Sequence, residues 1–405
     1  VNATTRSAPI WLSNLRQLAL ERIKITPWPT KKDEEWRRTL MSRLPWENFQ
    51  EHQNHYSIKQ GSPDPSYSVV VLIQDDGSVS FWSSTSHVQL RYVQDYDQAF
   101  WNDLSNFHED RFFWEHLATN EEALVIEIQK GATLDRPILV HWNRRGLAQL
   151  RSAFRLQVLA QEASVSSLIL RLDSRVPVFL NSLLNIWVEN DAVFQMTQIQ
   201  SLSSDSYWVE HSLAHQKRGS VFHHTLLNLG ADTTKTKFTD SILGDHAEFQ
   251  AKGIYICTGK QHKDMRLVQQ HRAPESLSNA LYKGAVKDKG RSIFQGLIEV
   301  SKEGRKTDAY LSNKNLVLND GARADSLPQL KIDHNDLRCT HGSTTGMVDQ
   351  EQVHYLQSRG LNPKEAKTLI TMGLFQEIID TLPESLRLPV EGQVEQLLKH
   401  DDEPL

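Results

Sequence analysis

The stretch LLNIWVENDAVFQMTQIQ, residues 183–200, sets the architecture of this chain. Apolar and polar residues alternate in both halves, and Asn190-Asp191 interrupts them with a turn signal. Period-two alternation marks a strand with one face toward a core. Similar segments lie on both sides: LVIEI from Leu124, ILVHW from Ile138, FRLQVLA from Phe154, VSSLILRL from Val165 and SVFHHTLLNL from Ser220. Further turn signals fall at Lys130-Gly131, Gln161-Glu162, Arg218-Gly219 and Gly244-Asp245. They recur roughly every 26 to 31 residues, a scale that predicts stacked repeats. With almost no helical period, the repeats are β. A right-handed parallel β-helix and a large β-sandwich both fit, and the recurrence favours the β-helix. Thr, Ser, Asn and Gln along these strands read as solvated outer faces.

The repeat fades through FQGLIEV (294–300) and ends in PQLKIDHNDLRCTHGSTTG (328–346), which reads as the last strand. Beyond Gly346 the period becomes helical. Asp349 reads as an N-cap with Gln352 reaching back, and Gly360 suits a helix end. Asn362-Pro363-Lys364-Glu365 opens a second helix, which Pro383 ends; KHDDEPL (399–405) reads as a tail. Upstream, residues 10–24 predict an amphipathic helix that includes Ile10, Leu12, Leu15 and Ala19. Glu51–Ser66 reads as a loop. Val69–Ile73 and Val79–Trp82 predict a hairpin across Asp76-Gly77. Asp97–Leu117 predicts a helix packed through Phe100, Leu104, Phe107, Phe112, Trp114 and Leu117. The expected division is an N-terminal helical or mixed α/β domain (1–120), a mainly β, β-helix core (121–346) and a C-terminal helical domain (347–405).

At 405 residues and 39% apolar, the chain is long enough for a sizeable core. A net charge of -5 argues against a general nucleic-acid binder. No apolar run approaches the roughly 18 residues of a membrane span. VNATTRSAPIWLSNL lacks the charged and apolar regions of a signal peptide. Two cysteines do not make a disulfide framework, so a reducing compartment is expected.

Enzyme motifs are largely absent. GIYICTGK (253–260) has five residues between its glycines where a phosphate loop needs four, and Gln261 follows the lysine. His211 and His215 share a strand face but lack further ligands. His223 and His224 point to opposite faces. Cys257 reads as a buried, inert thiol. Cys339 and His341 are two apart, so a thiol and an imidazole share one face of the last strand. Two readings stay open for them. One is packing. The other is chemistry: a thiolate favoured by His341 or Arg338, and half of a metal site that a partner chain completes.

Several pieces resemble one family. They are KGRSIFQG (289–296), KTD (306–308), NLVL (315–318), PQLKI (328–332), DLRCTHG (336–342) and QVHYLQSRGL (352–361). In order and spacing they are similar to the C-terminal half of SufD-type chains, in the SufB/SufD family of Suf-type iron–sulfur cluster assembly. WPTKKDEEWRRT (28–39) resembles that family's N-terminal motif. The chain lacks the cysteine expected near Asn313 in SufB, which favours the SufD type. Ser278–Lys283 departs from the family's Arg-Gln-Leu-His-Lys pattern, so no role carries to a histidine there.

The resemblance implies a non-catalytic scaffold that binds no nucleotide itself. It implies a SufB-like partner, a SufC-like ATPase and self-association as a further option. It also implies a nascent Fe–S cluster shared with the partner, with His341 as a metal ligand and Cys339 beside it. The ATPase would dock on the C-terminal helices at Gln352, Tyr355, Leu356, Arg359 and Gly360. Cytoplasm is the expected location, or plastid stroma in a eukaryote. Two alternatives remain: a metal-free adaptor, or a β-helix carbohydrate-active enzyme using carboxylates among Asp232, Asp240, Asp245 and Glu248.

Overall fold

The computed structural model describes residues 9–52, 56–96, 110–119, 122–146 and 149–399. From Leu124 the chain winds as a parallel β-solenoid of about 8 turns. Each coil gives one strand to each of two facing sheets. The first sheet runs through Leu124–Ile128, Leu150–Ala160, Val178–Val188, Tyr207–Gln216, Thr233–Ile242, His262–His271, Arg291–Val300 and Arg323–Ile332. The second runs through Ile138–Arg144, Val165–Ser174, Val193–Ser201, Val221–Asn228, Glu248–Cys257, Leu277–Val286, Asp308–Val317 and Arg338–Met347. The recurrence in the sequence is this coil. Phe179 pairs with Tyr207, Thr233 with His262, and His262 with Arg291.

The turns stack as well. Gly131, Ala163, Asp191, Gly219, His246, Glu275 and Lys306 each hold a positive φ on successive coils. Backbone N–H groups of Gly131, Ala163, Asp191 and Gly219 donate at 2.9 Å to a carbonyl in the next turn. That bonding satisfies backbone that a surface turn otherwise leaves to water. Between the sheets, like residues align: Phe194, Phe222 and Phe249 stack at 5.7 and 5.6 Å. Burying each ring is worth roughly 1.5–3 kcal/mol.

The polar strand residues are not all solvated, contrary to the sequence expectation. Val178–Val188 is buried at every position. Gln198, Asn228 and Asn313 point into the lumen and are fully buried. Outer faces are covered too. Two helices, α1 (Ile10–Ile25) and α2 (Arg111–Thr119), pack around Leu183 and Leu213 of the first sheet. Leu12, Leu15 and Ala19 face this core, whereas Ile10 is exposed. Phe112, Trp114 and Leu117 lie buried in α2 as expected; Phe100, Leu104 and Phe107 fall outside the described residues. The expected hairpin forms, with Val69–Ile73 antiparallel to Ser78–Ser83. The loop expected at 51–66 holds a strand, Ser57–Gln60, which pairs with Ser78–Phe81.

Three helices follow the last coil: α3 (Gln350–Ser358), α4 (Pro363–Ile379) and α5 (Glu384–Lys399). Phe375, Ile378 and Ile379 of α4 pack with Ile199, Leu227 and Ile254 on the outside of the second sheet. Asp349 caps α3, but its carboxylate accepts from Glu351 N–H at 2.9 Å, with no reciprocal bond from Gln352. Asn362 and Glu365 form the full capping box on α4, and Gly360 has φ +97°. The helix α5 was not visible in the sequence, because Pro383 and Pro389 mask its period.

Candidate functional site

Residues 328–346 form two strands rather than one. Arg323–Ile332 ends the first sheet, a bend follows, and Arg338–Met347 ends the second. Asp333–Leu337 lacks the strand pairing that a single run requires. Both strands are terminal in their sheets, so together they rim the open end of the solenoid. Leu330, Ile332 and Met347 are exposed on this rim.

Cys339 and His341 do share a face. They pair in register with Ala309 and Leu311, which line the core between the sheets. The thiol and imidazole therefore sit over the mouth of the lumen. Cys339 is half-buried against core residues, and His341 is exposed. Of the two readings left open for this pair, the favoured thiolate is opposed by the thiol's surroundings. Partial burial pushes the Cys339 thiol up to about 11, and the nearby Asp308 carboxylate adds to the rise. The thiol is protonated at neutral pH in this chain. Among the described residues, no three His, Cys, Asp or Glu side chains gather as a metal-holding group. Cys339 and His341 supply at most two ligands.

Below the rim runs a chain of hydrogen bonds. Asn315 Nδ2 donates to Thr345 Oγ1 at 3.3 Å and to Asn313 Oδ1 at 2.8 Å. Asn313 Nδ2 donates to the Tyr255 hydroxyl at 2.8 Å, and that hydroxyl donates to Asn315 Oδ1. The ring of Tyr255 lies where a Cβ on Gly284 would sit, 2.0 Å from its Cε2. Only glycine admits this packing. The buried position of Asn313 thus has a structural role here.

On the C-terminal helices, Gln352, Tyr355 and Leu356 line an open groove of about 390 Å³ with Asp349, Glu351 and Ile370. Tyr355 is 57% exposed, and the Arg359 guanidinium lies 5.3 Å from its ring centroid. Gly360 turns the chain from α3 toward α4.

The remaining sequence candidates do not converge. His211 Nε2 lies 3.3 Å from Asp110 Oδ2, while His215 stacks on Trp187 at 4.2 Å. His224 stacks on Phe238 inside, and His223 faces out. Cys257 is fully buried, with its thiol pushed up to about 12 by that burial. GIYICTGK lies in a strand and turn followed by another strand, not by the helix a phosphate loop requires. Asp240 is buried in the lumen wall, while Asp245 is half-buried at a turn.

One network escaped the sequence reading. The segment around Glu34–Thr39 lies across the outside of the first sheet. The Thr39 hydroxyl donates to Asp264 Oδ2 at 2.5 Å and lies 2.8 Å from His262 Nε2. Because its single hydrogen goes to Asp264, His262 must donate through Nε2. Lys235 Nζ lies 3.0 Å from Asp264 Oδ2, and Glu35 reaches Lys237 and Arg266 at 3.4 Å each. Glu34 accepts from Gln329 on the rim strand at 2.9 Å. The signal was available, since Lys235 and Asp264 stand one coil apart in register.

No described helix is long and apolar enough to cross a membrane. Residues 145–374 match the family described as SUF system FeS cluster assembly, SufBD core domain. An iron–sulfur cluster assembly SufBD family protein of Mycobacterium tuberculosis is 35% identical over 180 residues, 42% of this chain and 45% of its own. The iron–sulfur cluster assembly protein SufD of Escherichia coli is 31% identical over 196 residues, 47% of this chain and 46% of its own. The chain thus spans about half the length of these two relatives. A SufBD family protein of Synechocystis is 23% identical over 399 residues, 92% of this chain and 88% of its own. With more than half of its length matched to the core domain, and with the parallel β-solenoid described above, this chain belongs to the SufB/SufD family of iron–sulfur cluster assembly proteins.

Proposed function

We propose that the chain is the SufD-type, non-catalytic scaffold subunit of a Suf-type complex. Its rim strands join a SufB-like paralogue, and the two subunits hold a nascent Fe–S cluster as cargo. His341 is the ligand from this side, with Cys339 next to it. The observation that carries this reading is the placement of both side chains over the lumen mouth, on the terminal strand of a sheet. Two ligands do not complete a cluster, and a second chain at the rim supplies the rest. A SufC-like ATPase docks at Gln352, Tyr355, Leu356, Arg359 and Gly360. On this reading residues 1–120, 121–346 and 347–405 act as three units, and the complex works in the cytoplasm.

Co-expression with SufB-like and SufC-like chains from the same source tests it. A stable three-component complex is expected, and His341→Ala should lower bound iron and sulfide without unfolding the chain. Unchanged cluster yield in His341→Ala removes the ligand role. Tyr355→Ala should weaken ATPase capture but leave the paralogue bound. Loss of both partners together would refute the separate docking surfaces.

A further inference from the structure

Where the C-terminal helices meet the second sheet, they roof a small polar chamber of about 100 Å³. Its floor is the outer face of three neighbouring strands. Gln195, His223 and Gln250 stand in register across them, and Thr197, Thr225 and Lys252 form the next row. The elbow between α4 and α5 closes the top with Thr381.

Several donors in this chamber have no protein acceptor. His223 Nε2 is buried without a hydrogen-bond partner. Lys252 makes no hydrogen bond or ion pair among the described residues. Its ammonium feels the charge of Glu377, but Glu377 is bound to Lys283 Nζ at 2.6 Å. The other nearby carboxylate, Glu248, accepts from the Gln250 amide at 2.6 Å. The Thr197 and Thr225 hydroxyls add two further donors on the same floor. Burial pushes the His223 imidazole below its ordinary value, which disfavours a second charge beside Lys252.

A cation with convergent N–H and O–H donors matches an oxyanion. The volume selects the size. It is several times the roughly 30 Å³ share of one liquid water. It is well below the roughly 300–1,000 Å³ of sites that take drug-sized ligands. Nucleotides and sugars are therefore too large. We propose that this chamber binds one small tetrahedral oxyanion of the phosphate or sulfate class, held by Lys252, His223, Thr197 and Thr225. The ion sits on the solenoid wall beneath the α4–α5 elbow, whose Thr381 hydroxyl donates to Ile378 O at 2.7 Å. This site lies on the outer face of the sheet and is independent of the scaffold reading.

Calorimetric titration of the full-length chain tests it, with inorganic phosphate and sulfate in separate arms. Ionic strength is held constant with sodium chloride, and chloride alone is the control. Saturable one-to-one binding of either ion is expected. Lys252→Met should weaken it by about tenfold or more, the loss of one charged hydrogen bond. Thr197→Val, a near-isosteric change, should weaken it less; it serves as the second variant where Lys252→Met fails to fold, as read by circular dichroism. No saturable binding beyond chloride, or parental affinity in the folded variants, overturns the proposal and leaves the chamber to water.

Discussion

Alkylation of Cys339 offers a direct test of the electrostatics at the lumen mouth. Its thiol lies at about 11 rather than at an ordinary value of 9.0. At neutral pH that shift leaves about one hundredth of the usual thiolate. The rarer thiolate is more nucleophilic, with a Brønsted slope of about 0.4–0.5, which returns a factor of about six to ten. The net expectation is a rate about tenfold below that of an ordinary exposed thiol, before any steric effect of half-burial. The assay is clean because the other cysteine, Cys257, is fully buried. Mass spectrometry of the full-length chain treated with iodoacetamide at pH 8 then reads Cys339 alone, with Cys339→Ser as the blank. Asp308→Asn should raise the rate only part of the way, because burial is the larger cause and the carboxylate the smaller. A pH–rate profile with its inflection near 8.5 would refute this account. So would parental kinetics in the Asp308→Asn chain.

Other perturbations read the interior. Tyr255→Phe leaves Asn315 Oδ1 without the hydroxyl it accepts from and should cost about 1–3 kcal/mol. The urea midpoint should fall with an unchanged slope, and an unchanged midpoint would count against the network. Lys235→Met strands the Asp264 carboxylate in a buried site and should cost about 3–5 kcal/mol. A loss below about 1 kcal/mol would mean that Thr39 and Gln295 alone suffice for that carboxylate. Asp240 gives a pH dependence. Burial raises its carboxyl to about 8, whereas unfolded it ionises near about 4. Between these values the folded chain binds the extra proton, so this group lowers stability as pH rises from about 4 to 8. Asp240→Asn keeps the Gln216 partner within reach and removes that slope. The variant should gain on the parent steadily toward pH 8, and parallel urea midpoints across that range would exclude the effect.

The solenoid was legible because its coil length is written into the chain as recurring turns and alternating strands. A parallel stack imposes the same register on every coil, so Phe194, Phe222 and Phe249 repeat a pattern that reading by eye detects. The rim was legible in part. The two-residue spacing of Cys339 and His341 placed them on one face, but the bend at Asp333–Leu337 was missed because 328–346 reads as one strand, although Leu337 falls out of the two-residue phase of Leu330 and Ile332. The sequence left the thiol's environment open for a different reason. Arg338 is adjacent in sequence, while Asp308 is adjacent in space through the neighbouring strand. Polar lumen residues such as Gln198 and Asn313 read as surface because residue type alone does not reveal which face of a strand turns toward the lumen. The α5 helix was lost to Pro389, which breaks the local pattern while tertiary packing of Leu386, Val390 and Val394 holds the helix.

The segment that carries Thr39 has a consequence in time. Its hydrogen-bonding partners, His262 and Asp264, lie 223 and 225 residues later in the chain. The coils themselves pair with near neighbours, so the stack can assemble progressively as it is synthesised. The N-terminal segment cannot take its place until the strand that receives it exists. At about 5–20 residues per second, that wait is roughly 10–45 seconds on the ribosome. During it, the Thr39 hydroxyl stands without its buried partners. The segment made earlier is thus seated only after the later coil that receives it.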